Sequence, residues 1–188
     1  MTPAAATDVL LALTCALLLW RQGRAAPGLS VALSGIALAA CFGVARFSGL
    51  AAAAGPHQFF SLLGAVAAVP LLAWCLWAPS SLPALQPRAA ALVIIFGGAG
   101  GVVLVGVLKL KIWGLLMLLS AVLLLVRAAW QRRSMSFWAG TVLLVLGGVV
   151  QAAQPVLGSW PAVAWLHLLL SAGLAWLLWP RVSQSGST

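Results

Sequence analysis

Residues 4–20 read AAATDVLLALTCALLLW, from Ala4 to Trp20, and Arg21 closes the run. A spanning helix needs about 20 apolar residues, with a working range of roughly 17–25. This stretch is therefore long enough to cross a bilayer. It also carries Asp8, the only carboxylate side chain among 188 residues. An ionisable group inside a span is costly, and by default it marks a functional site whose partner has to be found. The rest of the chain can then be asked what polar company it gives Asp8.

Hydrophobic residues make up 64% of the chain and charged residues 6%; the mean hydropathy is +1.15. A soluble domain is about one quarter charged, so this chain lacks the polar surface a water-soluble globule requires. The formal net charge of +9 does not point to nucleic acid. Its basic residues stand singly or in pairs between apolar runs, the pattern of interface anchors rather than of a phosphate-binding face. Several Trp (Trp20, Trp77, Trp113, Trp130, Trp160, Trp179) sit near run ends, where an amphipathic ring suits the headgroup level. Cys15, Cys41 and Cys75 fall in three different apolar runs without metal-ligand spacing, and read as small hydrophobes.

Seven spans follow, at about residues 4–20, 27–45, 57–77, 89–108, 111–126, 137–153 and 161–179. Pro27 suits a helix start, and Pro70 predicts a kink in the third span. The segment Ala78–Arg88 (APSSLPALQPR), with its three prolines, is a break. The fifth span is short and is expected to continue through AAWQRR as an interfacial turn. The fold class is thus an all-α integral membrane protein. One seven-helix transmembrane domain covers residues 1–182, and a polar, disordered tail covers 183–188. The first run has no basic region ahead of it and ends in RQGR, which reads as a stop and not as a cleavage site.

Orientation follows from the basic residues. With the N-terminus outside, the inner loops hold Arg21, Arg24, Arg88, Arg127, Arg132, Arg133 and Arg181, and the outer ones only Arg46, Lys109 and Lys111. That bias favours N-out and C-in. The two halves also align. Leu10–Arg21 matches Leu116–Arg127, Cys41–Arg46 matches Leu146–Gln151, and Leu71–Pro79 matches Gly173–Arg181. Spans one to three map onto five to seven and leave the fourth as a linker, a parallel 3+1+3 repeat of the kind found in small transporters.

In this topology the polar side chains gather at one depth. Asp8 lies about 6 Å and His167 about 9 Å below the outer surface, at 1.5 Å per helical residue. His57 and Gln58 open the third span there, and Arg46, Gln151 and Gln154 close the second and sixth. An outward-facing pocket of Asp8, Arg46, His57, Gln58, Gln151, Gln154 and His167 is expected. Asp8, His57 and His167 are the candidates for general acid–base groups or for ligands of a divalent metal, and the two histidines for axial ligands of a haem. No cofactor is called for by any motif. The plainer alternative has Asp8 capping its helix and pairing with Arg46 or a Lys, with His57 at a boundary and His167 bonded to a neighbouring helix.

The GGAGG of Gly97–Gly101 follows VIIF inside an apolar run, with no Lys or Ser/Thr after it, and is not a nucleotide loop. Gly97, Gly98 and Gly101, and the pair Gly147 and Gly148, are read as close-packing positions. No G-x-S-x-G, H-E-x-x-H or C-x-x-C occurs.

The opening TDVLLAL, the basic end of the first span and the PHQFF of Pro56–Phe60 resemble small bacterial seven-span membrane proteins of uncharacterised role. In architecture alone the plan is distantly similar to the superfamily of alkaline ceramidases and progestin-receptor-like membrane hydrolases. That resemblance implies a zinc held by several His, with a Ser and an Asp, cleaving amide or related bonds in lipids. This chain departs from the pattern: its seventh span offers only His167, no acid accompanies the second or third span, and its polar cluster lies on the outer side.

The first expectation is a non-catalytic subunit or a lipid- or small-molecule-binding protein of a bacterial inner membrane. Its expected partners are membrane lipids and other membrane subunits or further copies of itself. A metal-dependent hydrolase acting on a lipid comes second, and a small 3+1+3 transporter with Asp8 as a proton-coupling site comes third.

Overall fold

The computed structural model describes residues 1–22, 25–153 and 160–179. Among these the chain is helical and forms no strand. Six helices are long and apolar enough to cross a membrane: α1 Pro3–Gln22, α2 Pro27–Phe47, α3 Ala51–Trp77, α4 Pro87–Val107, α5 Lys111–Arg132 and α6 Met135–Ala153. A shorter apolar helix, α7 Ala162–Leu178, completes the described residues.

The boundaries differ from the expected ones where local chemistry decides. α1 starts at Pro3 because Thr2 caps it, its Oγ1 accepting from the Ala5 N–H at 3.2 Å. α3 begins six residues early, with a 3-10 turn at Ala51–Ala53 leading into helix. α5 does not turn along the interface after Val126. It runs on as helix to Arg132, through Ala128 and Ala129, which are good helix formers and fully buried. The proline-rich break holds one short helical turn, Leu82–Leu85.

The kink expected at Pro70 takes the form of a π-helical segment at Gly64–Ala68. Proline has no N–H, and its ring clashes with the carbonyl four residues back, here Val66. Widening the turn just before it relieves that clash. α4 carries two such segments, Val93–Gly97 and Val103–Val107. It then passes to α5 through a tight turn in which Lys109 has φ 58°. The Lys109 Nζ donates to the Gly106 carbonyl at 2.6 Å, satisfying an end group of α4.

Six helices close a ring in the order α1, α2, α3, α5, α6, α7 and back to α1. α6 packs closely along α7, whereas α5 and α6 touch least of all the ring's neighbours. Gly140 and Gly173 explain the first of these. A Cβ on either would meet the other's carbonyl oxygen at 3.0 Å, so only glycines permit this crossing. α4 lies outside the ring against α2, α3 and α5. Gly98 and Gly101 admit Leu63 and Val66 of α3, as their expected packing role requires. Gly97 has open space around it and does not share that role. A Cβ added at Gly147 would meet Leu166 and Leu169 at 3.4 Å, and one at Gly148 would meet only Leu118, at 3.9 Å.

The end of the ring opposite Asp8 is tied by arginines. Arg21 of α1 sits over the Trp179 ring beside α7, 3.8 Å from its centroid. Arg127 of α5 sits 5.8 Å from the Trp77 ring of α3. Arg132 donates to the Leu76 carbonyl at 2.7 Å and lies 4.8 Å from the Phe137 ring.

Candidate functional site

Asp8 is fully buried beyond the first turn of α1. Its Oδ1 lies 2.9 Å from the Nδ1 of His167 on α7, which is also buried. This is ion-pair distance, although the two atoms do not meet the geometry of a good hydrogen bond. Room for the carboxylate comes from α2. A Cβ on Gly43 would overlap Asp8 Oδ2 and its carboxyl carbon. Thus α1 supplies the acid, α7 the imidazole and α2 the gap. Asp8 neither caps α1, a task done by Thr2, nor pairs with Arg46, whose guanidinium lies 5.3 Å from the Phe47 ring and whose side chain is exposed.

His57, buried on α3, points its Nδ1 at the Ala39 carbonyl of α2 at 3.2 Å. A carbonyl can only accept, so Nδ1 carries the hydrogen and Nε2 is left with its lone pair. Ser61 Oγ is 3.5 Å from the same Nδ1, and the Phe47 ring packs edge-on. Ser61 escaped the sequence reading, although its spacing of four residues from His57 places it on the same helix face. Gly43 escaped it because what matters there is a side chain from another helix.

Between the ring helices lies a cavity of about 340 Å³. His57, Ser61, Gln151 and His167 line it, and the rest of the wall is apolar or glycine, with contributions from all six ring helices and none from α4. Asp8 stands behind His167 and does not line it. The Gln151 Oε1 is buried without a hydrogen-bond partner. Of the expected pocket, therefore, Asp8, His57, Gln151 and His167 come to one region. Arg46 and Gln58 are exposed, and Gln154 lies outside the described residues. Among the described residues no three His, Cys, Asp or Glu side chains are grouped as a metal site. His57 does not join the Asp8–His167 pair.

No family model, curated protein or solved structure matches this chain.

Proposed function

We propose that the chain is a seven-span protein of a bacterial inner membrane, N-terminus outside, that holds a lipid or small apolar molecule in its central cavity. In this reading it acts as a binding protein or a non-catalytic subunit. The cavity carries the proposal. Its volume of about 340 Å³ lies within the range of small-molecule sites, and its wall is almost wholly apolar. The polar groups are few against an apolar wall, the usual plan of a small-molecule site. The seventh span is α7, whose 17 residues meet the lower limit for crossing a bilayer.

The transporter reading has one specific observation in its favour. Under the internal repeat, Arg21 corresponds to Arg127 and Trp179 to Trp77. The two arginine–tryptophan contacts then join the halves in equivalent fashion, with α4 outside as the linker. The hydrolase reading lacks comparable support, since Asp8, His57 and His167 do not gather around one point.

Native mass spectrometry of the full chain in mild detergent tests the proposal. The binding reading expects a retained apolar molecule at one per chain, released on unfolding. A chain without any retained molecule, at its bare mass in every detergent tried, would count against it.

A further inference from the structure

Resting on the cavity as a binding site, we propose that its occupant is an uncharged, single-chain amphiphile with a hydroxyl head, such as a long-chain alcohol or a monoacylglycerol, and not a phospholipid.

Charge excludes the phospholipid. No Lys, Arg, Asp or Glu lines the cavity, and a phosphate brought into an apolar enclosure without a counter-charge is strongly disfavoured. The one acid nearby, Asp8, is occupied with His167.

Two imidazoles line the cavity, and that of His57, fixed by the Ala39 carbonyl, offers an Nε2 acceptor. Gln151 adds a second acceptor in its unpaired Oε1. A hydroxyl can donate to either of these acceptors. An ether, ester or ketone head can only accept. It would leave His57 and Gln151 unanswered, and buried polar groups without partners are expensive.

Size and access agree. A volume of about 340 Å³ is at the low end of the roughly 300–1,000 Å³ typical of ligand pockets, which suits one chain better than two. The seam between α5 and α6 is the loosest in the ring, and even a Cβ added at Gly148 would come no closer than 3.9 Å to the Leu118 side chain. An amphiphile can reach the cavity from the bilayer there.

The test is photo-cross-linking of the full chain in phosphatidylcholine nanodiscs with a diazirine-bearing hexadecanol, and separately with a diazirine-bearing lysophosphatidylcholine. The expected result is alcohol adducts on Leu118, Val122 and Val145, suppressed by excess hexadecanol but not by hexadecyl methyl ether. His57→Phe and Gln151→Leu, checked for folding by gel filtration, should each lower these adducts roughly 5-fold. Equal labelling of the cavity by the lysophospholipid, or equal competition by the methyl ether, would overturn the hydroxyl assignment and leave the binding site standing. Adducts from every probe confined to the outer faces of α4 and α5 would overturn both.

Discussion

Two seams join the first three ring helices to the last three, and they are built differently. At the α1–α7 seam Asp8 faces His167 near one end, and Arg21 covers Trp179 at the other. At the α3–α5 seam Arg127 approaches Trp77 in the corresponding place, helped by the Arg132 bond to the Leu76 carbonyl. At the offsets of the expected repeat, Asp8 and His167 would correspond to Gly114 and Ala65, which have no polar side-chain atom. One seam thus packs without the buried pair that the other contains. A buried ion pair is at best weak evidence for stability, because desolvation offsets the attraction between its partners. On the proposed binding reading, the Asp8–His167 pair serves the cavity that His167 lines.

The largest effect should come from breaking that pair on one side. Asp8→Ala leaves a buried imidazole unanswered and should cost about 3–5 kcal/mol, read as a lowered melting temperature in detergent. Next comes the gap that accommodates the pair. Gly43→Leu must displace the carboxylate or α2, with a loss of about 1–3 kcal/mol or more, and its effect should shrink in an Asp8→Ala background because the two sites share one contact. On the apolar seam, Arg132→Ala should cost about 1 kcal/mol, since the guanidinium is partly exposed and its bond to Leu76 is correspondingly discounted. Smallest of all, Arg21→Ala and Arg127→Ala should each cost about 0.5–1 kcal/mol, with Arg21 the larger because its ring contact is closer. Equal and negligible effects of both would remove the equivalence drawn between the seams.

Depth was legible in the sequence, whereas direction was not. Asp8 and His167 could be placed at a common level by counting residues into each span, and the structure sets them 2.9 Å apart. His57 and Gln151 were placed at that level too, and both line the cavity. Arg46 and Gln58 share the depth but are exposed, because a helix that is apolar nearly all round gives little sign of which side faces inward. The same ambiguity hid Gly43, whose role depends on a carboxylate from another helix. Pro70 signalled a distortion correctly, but its form as a π-helical widening at Gly64–Ala68 depends on how α3 satisfies its carbonyls within the ring. Of Gly97, Gly98 and Gly101, all expected to pack closely, Gly98 and Gly101 meet α3 and Gly97 faces open space.

The most direct measurement is the molecule retained by the Asp8→Leu/His167→Leu double variant beside the unaltered chain, with melting temperature recorded on the same samples. If the pair serves the cavity, the double variant melts close to the unaltered chain and well above Asp8→Ala, yet loses most of the retained amphiphile. A double variant that melts as low as Asp8→Ala while keeping its amphiphile would contradict the account, because the pair would then be a structural fastening of α1 to α7.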